Sequence, residues 1–167
     1  MKFWALALAL LIWAPLQSRA ASSETTYDIY NHAVYGTIGF ARGGLVIGGE
    51  YEYPYDRTFG LGGLARYYSK DKDKGEPSVF VIGGFVRPHF NRREWDLYVS
   101  PGFNLMMIDG NNNDETVLGP SLSFGLLYQM KRTMAMGVDH TVWAGWFNDD
   151  FRGVILTDLM FKMRFSF

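Results

Sequence analysis

From about residue 30 to the end of the chain, apolar and polar side chains alternate in eight successive segments. The last segment shows this most clearly, because the odd positions from Ile155 to Phe167 are apolar except for Thr157, whereas Asp158 and Lys162 occupy even positions. Successive side chains of a strand point to opposite faces, so each segment predicts a strand with one apolar and one polar face. No helical period competes with this alternation after residue 25. The pattern predicts an all-β protein with eight antiparallel strands.

The other seven segments divide in the same way, and the first, from about Tyr30 to Phe40, is the least regular. Opposite the bulky apolar residues lie mainly glycine, serine and charged side chains. The predicted apolar faces are Val34, Ile38 and Phe40; Leu45, Ile47, Tyr51 and Tyr53; Phe59, Leu61, Ala65 and Tyr67; Phe80, Ile82, Val86 and Phe90; odd positions 95–107; even positions 118–130; and, apart from His140, even positions 134–146.

The connections between segments also follow a pattern. Tight polar turns are predicted at residues 54–57, 91–93 and 131–132, and longer hydrophilic loops at 69–77, 109–115 and 147–153, with a short joint at 42–44 as the exception. Short turns at one end and longer loops at the other are typical of outer-membrane β-barrels.

The first 20 residues predict a cleaved export signal. Lys2 provides the positive end, residues 3–14 are apolar, and Ser18-Arg19-Ala20 is a small-x-small cleavage site. About twelve apolar residues are too few for a membrane-spanning helix, which needs roughly 20. We therefore expect cleavage after Ala20 and one domain over residues 21–167.

Composition excludes several classes of function. The 167 residues contain no cysteine, which rules out a disulfide scaffold, a thiolate zinc site and a cysteine nucleophile. After loss of Lys2 and Arg19, 14 basic residues face 17 acidic ones, and a net charge of about −3 argues against nucleic acid as a partner. All 19 glycines lie after Ala20. This high glycine content favours a tightly curved sheet over a helical bundle.

Bulk and charge indicate that the apolar faces point outward to lipid. The interior of an eight-stranded barrel is only wide enough for side chains to fill, and the bulky faces would overfill it. Five acidic and four basic side chains in the strands all lie on the small-residue face, where they predict an ion-paired network inside the barrel because buried charges must be paired. They are Glu50, Glu52, Arg66, Arg87, Asp96, Asp139, Asp158, Lys162 and Arg164.

Aromatic residues gather near both ends of the predicted strands, as in the two girdles of a membrane barrel. Those near the turns are Tyr51, Tyr53, Tyr55, Phe59, Phe90, Trp95 and Tyr128, and those near the loops are Tyr67, Trp143, Trp146 and Phe147.

With this export signal and these strands, the C-terminal pattern Phe161, Met163, Phe165 and Phe167 resembles the small outer-membrane β-barrels of Gram-negative bacteria, the group of OmpX, OmpW and the OmpA transmembrane domain. The resemblance implies an eight-stranded antiparallel up-and-down transmembrane β-barrel in the outer membrane. It also implies that the barrel-assembly machinery reads the terminal pattern. The expected partners are outer-membrane lipid and lipopolysaccharide, and the expected state is a monomer.

We expect a structural or surface-interaction protein with a plugged, ion-paired lumen. The alternatives are a narrow pore or a lateral route for small hydrophobic molecules, as in OmpW-like barrels, and a lipid A-modifying enzyme. Deacylases of that last group pair a histidine with a serine two residues on, which His32, His89 and His140 all lack. No cofactor or metal is expected, since the acidic loop at 109–115 lacks the sixth-position glycine of a calcium loop.

His140 does not fit the pattern, because alternation places it on the apolar face near the middle of its strand. Either it faces lipid as a functional group, or a local β-bulge or a different strand register turns it inward beside Asp139. We favour the inward position, by a bulge or a different register.

Overall fold

The structure is a computed structural model, which describes residues 31–42, 44–56, 58–69, 77–109, 114–146 and 153–167. The predicted export signal and most of the three longer predicted loops lie outside these residues. Eight strands are present: β1 (Ala33–Ala41), β2 (Gly44–Asp56), β3 (Phe59–Tyr68), β4 (Ser78–Arg92), β5 (Trp95–Asp109), β6 (Asp114–Lys131), β7 (Met134–Gly145) and β8 (Gly153–Ser166).

Among the described residues, no helix is long and apolar enough to cross a membrane.

The strands form one closed antiparallel barrel in chain order, in which β8 returns to pair with β1. This confirms the predicted fold. Several boundaries differ from the prediction. For example, β1 begins at Ala33, β2 continues through Asp56 into the predicted turn at 54–57, and β6 begins at Asp114, inside the predicted loop at 109–115.

The two ends of the barrel differ in their connections. At one end of the barrel β1 is followed by β2, β3 by β4, β5 by β6 and β7 by β8, and we call it the loop end. At the other end β2, β4 and β6 are each separated from the next strand by two residues, and Phe167 follows β8 there; we call it the turn end. In outer-membrane barrels the short turns lie in the periplasm and the longer loops outside the cell.

The outer wall is apolar, as the alternation predicted. Phe40 and Leu159, for example, are 68 % and 60 % exposed, while their chain neighbours on the inner face are buried. The other exposed large apolar side chains come from all eight strands and include Ile38, Ile47, Leu61, Ile82, Phe103, Leu122, Val138 and Phe161.

Inward-facing glycines make room for large buried side chains. Gly125 pairs with Tyr98 on the neighbouring strand, and a Cβ at Gly125 would lie 2.0 Å from the tyrosine ring. Gly48 stands in the same relation to Arg66, whose Cγ would lie 2.7 Å from the added Cβ. The high glycine content therefore serves the filling of the lumen as well as the curvature of the wall.

The interior is not polar throughout. A cluster of buried apolar side chains fills the part of the lumen towards the loop end, and on β2, β4, β5 and β7 its members lie nearer that end than the charged residues do. Trp143 belongs to it and is fully buried, so its predicted place in an aromatic girdle was wrong. We call it the apolar cluster: Ala41, Val46, Leu64, Tyr68, Val79, Val81, Phe85, Met106, Ile108, Val117, Trp143, Leu156 and Met160.

Candidate functional site

The structure places all nine predicted charged side chains inside the barrel, each at most 4 % exposed. They come from β2, β3, β4, β5, β7 and β8, and they meet in the middle of the lumen and towards the turn end. With His89, which joins them, they form what we call the charged cluster: Glu50, Glu52, Arg66, Arg87, His89, Asp96, Asp139, Asp158, Lys162 and Arg164.

Glu50 lies at the centre of the charged cluster and receives hydrogen bonds from three cations. Its Oε1 accepts from Arg66 Nη2 and Lys162 Nζ, both at 2.8 Å. Its Oε2 accepts from Arg87 Nη2 at 2.6 Å and from Lys162 at 3.0 Å. Because both oxygens are fully occupied by charged donors, this carboxylate is held in one position in the lumen.

Arg66 connects β3 to strands on the other side of the barrel. Its Nη2 donates to Asp139 Oδ1 at 3.0 Å, and its Nη1 donates to Asp158 Oδ2 at 2.9 Å. Asp158 Oδ2 also accepts from the Tyr68 hydroxyl at 2.5 Å and from the Trp143 indole N–H at 3.2 Å. Polar groups of the apolar cluster therefore cap the charged cluster on its loop-end side.

Towards the turn end, His89 lies between two carboxylates. Its Nε2 is 2.8 Å from Glu52 Oε1, and its Nδ1 is 2.8 Å from Asp96 Oδ1. Both hydrogen bonds can form together only when each ring nitrogen carries a proton. Arg164 Nη1 donates to Asp96 Oδ2 at 2.5 Å, and its Nη2 donates to Gln129 Oε1 at 2.7 Å.

Aromatic rings surround the central cations. The Arg87 guanidinium carbon lies 4.1 Å from the Phe85 ring centroid and 4.5 Å from that of Tyr98. The Tyr98 hydroxyl donates to Asp139 Oδ2 at 2.6 Å, and the Tyr35 hydroxyl donates to Glu52 Oε2 at 2.8 Å. These rings fill space between the charges and supply cation–π attraction as well as hydrogen bonds.

His89 and the tyrosines are the members of the site that sequence reasoning missed. Five carboxylates face only four permanently basic groups, and a doubly protonated His89 makes the count equal. The available signal was alternation itself, because His89 shares the inward face with Arg87 two positions earlier.

The C-terminal residues proposed as an assembly signal lie on the outer wall near the turn end. Phe161, Phe165 and Phe167 are exposed, and Met163 is partly exposed on the same face. Backbone hydrogen bonds in both directions join Phe167 to His32, at 3.1 and 2.9 Å, and their rings lie 5.8 Å apart. The C-terminus thus closes the seam between β8 and the segment that enters β1.

His140 faces lipid, so the favoured inward position was wrong. It is exposed and pairs in regular register with Phe124 on β6 and Leu159 on β8. Its Nδ1 lies 2.6 Å from the backbone oxygen of Asp158, which gives the imidazole a hydrogen-bond partner without turning it inward. The register shift between β7 and β8 occurs three residues later, at Trp143.

Within the described ranges, no group of three or more histidine, cysteine, aspartate or glutamate side chains is arranged to hold a metal ion. The carboxylates of the charged cluster instead face arginine, lysine and histidine donors. This arrangement neutralises charge and fixes side chains across the lumen.

Comparison with known proteins gives a consistent family and fold. The family model described as outer membrane protein beta-barrel domain matches residues 6–157. The N-terminal β-barrel domain of Pseudomonas aeruginosa OprF superposes with a TM-score of 0.68 at 14 % identity, covering 83 % of this chain and 98 % of that chain. Neisserial surface protein A (NspA) superposes with a TM-score of 0.62 at 14 % identity, covering 81 % and 94 %.

A barrel from the de novo design of transmembrane β-barrels is also similar, with a TM-score of 0.54 at 16 % identity and coverage of 81 % and 94 %. At such identities the likeness concerns the fold alone, and a fold does not by itself determine an activity. None of the curated proteins compared with the sequence matches it.

Proposed function

This chain belongs to the outer membrane protein β-barrel domain family, and on that premise we propose that it is a monomeric, non-conducting scaffold whose lumen is plugged by the charged cluster. As a member of this family it is an outer-membrane protein. Its role is structural or interactive: the barrel anchors in lipid, and the loop end faces outward towards lipopolysaccharide and external partners.

One observation carries this proposal: basic side chains reach across the lumen to carboxylates on distant strands. Arg66 on β3 bonds Asp158 on β8, and Arg164 on β8 bonds Asp96 on β5. An eight-stranded barrel has an interior just wide enough for side chains. A passing ion would have to displace ion pairs that are buried and joined by hydrogen bonds, which makes conduction unfavourable.

Single-channel recording in a planar lipid bilayer tests the plug. We expect no steady conductance steps from the wild-type protein, and we expect current bursts from a variant combining Arg66→Ala with Arg87→Ala. Arg92→Ala is the matched control, because Arg92 is exposed at the turn end and should leave the barrel silent. Steady conductance steps in the wild type would contradict the proposal and favour the narrow pore.

We further propose that the protein is not an enzyme. Both ring nitrogens of His89 face carboxylates, so neither is directed at a nucleophile as a general base requires. Nδ1 of His32 lies 2.6 Å from the Tyr51 hydroxyl and Nδ1 of His140 lies 2.6 Å from the Asp158 backbone oxygen, so neither contact pairs a histidine with a serine. Mass spectrometry of lipid A from cells with and without the protein tests this. A changed acylation pattern that depends on the protein would contradict it.

Two proposals concern biogenesis. Residues 1–20 are removed after Ala20, and the barrel-assembly machinery binds the exposed C-terminal pattern that ends at Phe167. The intact mass of the protein purified from outer membranes tests the first, since any cleavage position other than Ala20 gives a different mass. Reduced membrane assembly of Phe167→Ser, compared with Phe40→Ser at an equally exposed position, tests the second.

A further inference from the structure

Four basic side chains lie at the turn end of the barrel, and all of them are exposed. Two are at the turn between β4 and β5, and two are at the turn between β6 and β7. We call them the basic patch: Arg92, Arg93, Lys131 and Arg132. The two turns are adjacent, because β5 pairs with β6 and the backbone N–H of Gln129 donates to the Glu94 oxygen at 2.7 Å. The four charges therefore act on one region of the surface.

The positive charge of the basic patch is largely uncompensated. Within the described ranges, none of its four members forms an ion pair. Glu94 is the one acidic residue in the two turns. Asp56, at the end of β2, instead accepts hydrogen bonds from the backbone N–H and the hydroxyl of Thr58, at 2.7 and 3.1 Å.

The basic patch adjoins the part of the outer wall that meets the lipid headgroups. Arg92 pairs directly with Trp95 across β4 and β5, so the two side chains lie on the same, outward face. Trp95 in turn pairs with Tyr128, and their ring centroids are 5.0 Å apart. Tryptophan and tyrosine are enriched at the membrane–water interface. The cations therefore begin where the apolar wall ends.

We propose that the basic patch binds the phosphate groups of anionic phospholipids, of the phosphatidylglycerol type, in the leaflet around the turn end. Clustered basic residues beside a membrane attract anionic headgroups, and a guanidinium can donate two parallel hydrogen bonds to phosphate oxygens. The turn end of such barrels faces the periplasm, so the partner is a phospholipid of the inner leaflet.

This surface is independent of the plug, because it lies outside the barrel whereas the charged cluster is buried. A failure of the lipid preference would leave the conductance result unaffected, and the reverse also holds. The preference distinguishes anionic from zwitterionic headgroups, so substitution of Arg92 should have little effect in pure phosphatidylcholine.

Tryptophan quenching by brominated lipids in equimolar phosphatidylcholine and phosphatidylglycerol vesicles tests the proposal. After the predicted export signal the chain has three tryptophans: Trp95 at the turn end, Trp146 at the loop end and Trp143 in the lumen. Trp146→Phe leaves Trp95 as the lipid-facing reporter, and Trp95→Phe leaves Trp146. Bromine is placed on the chains of one lipid at a time, so that the two quenching efficiencies give the relative occupancy of each lipid.

We expect phosphatidylglycerol to be favoured several-fold beside Trp95. It should not be favoured beside Trp146, at the end where Asp109 pairs directly with Asp114. High salt should reduce the preference, because exposed charges are screened. Equal quenching of Trp95 by both lipids would overturn the proposal and leave the patch to solvent or to an acidic protein.

Variants localise the effect. Arg92→Gln with Arg93→Gln, and Lys131→Gln with Arg132→Gln, should each lower the preference beside Trp95, and all four together should abolish it. The two pairs keep the test decisive if the fourfold variant does not fold. Glu94→Gln is the matched control, since it removes a charge of the opposite sign from the same turn and should preserve or raise the preference. A preference that survives both pairs, or that is equal at Trp95 and Trp146, would also overturn the proposal.

Discussion

The charged cluster and the apolar cluster fill the same lumen by different physical means. In the apolar cluster most side chains contribute through contact and burial, which require no specific partner. In the charged cluster every group depends on others, because an ion without its partners in a water-poor interior is strongly unfavourable. One barrel thus combines a core like that of a soluble protein with a network in which the loss of one charged group leaves others without a partner.

This difference predicts the largest loss of stability at Arg66. Arg66→Met leaves Glu50, Asp139 and Asp158 without a shared donor, and removing one partner from a buried ion pair costs roughly 3–5 kcal/mol. Urea unfolding of the protein in phosphatidylcholine vesicles, followed by tryptophan fluorescence, measures the change.

Arg92→Met is the control for this prediction, because Arg92 is exposed and should change the free energy of unfolding by less than about 0.5 kcal/mol. Equal effects of the two substitutions would mean that burial of the ion pairs contributes nothing specific to stability.

The apolar cluster should respond less and more locally. Met106→Ala removes a fully buried side chain, and such truncations cost roughly 2–5 kcal/mol according to how far the surroundings can relax. No ion loses its partner in this truncation, so we expect a value in the lower part of that range, below the loss for Arg66→Met. The same urea unfolding experiment measures it.

Met107→Ala is an internal control, because Met107 is the next residue along β5 and is 41 % exposed on the lipid face. We expect its effect to be clearly smaller. If Met106→Ala and Met107→Ala lower the free energy of unfolding equally, the inner face of β5 is not packed more tightly than its lipid face, and the apolar cluster does not contribute as described.

Much of the outer wall and the inward placement of the nine charges could be predicted from sequence, because both follow from alternation. The pairing could not: Arg66 and Asp158 are 92 residues apart and meet only through the register of the closed barrel. Alternation also gives no signal where both faces are apolar, as at Met106 and Met107. For that reason the apolar cluster was missed. Trp143 is a different case, because its odd position in β7 places it on the same inner face as Asp139 and Thr141, and it was assigned to a girdle only from its nearness to the strand end.

The contact between an inward-facing glycine and a large side chain offers a third test, for which we expect a smaller effect on the free energy of unfolding. Gly125→Ala places a Cβ 2.0 Å from the Tyr98 ring, and overpacking of this kind costs roughly 1–3 kcal/mol. In the Gly125→Ala background, Tyr98→Leu should be less harmful than in the wild type, because it removes the clash. A double-mutant cycle with urea unfolding measures this coupling.

Gly36→Ala is the matched control, since Gly36 lies on the lipid face and a Cβ there would meet no atom within 4 Å. We expect it to be neutral or slightly stabilising. Additive effects of Gly125→Ala and Tyr98→Leu would show that the glycine is not needed to accommodate the ring.

The outer wall is apolar around both the charged cluster and the apolar cluster, and His140 is one position where a polar side chain interrupts it. His140→Leu should change the free energy of unfolding by less than about 1 kcal/mol, because the gain in apolar contact with lipid offsets the loss of one hydrogen bond to the Asp158 carbonyl. His140→Arg at the same site should cost more, by about 2–4 kcal/mol if the position lies near the bilayer midplane. Urea unfolding in vesicles measures both, and an arginine tolerated as well as leucine would contradict the lipid-facing position of His140.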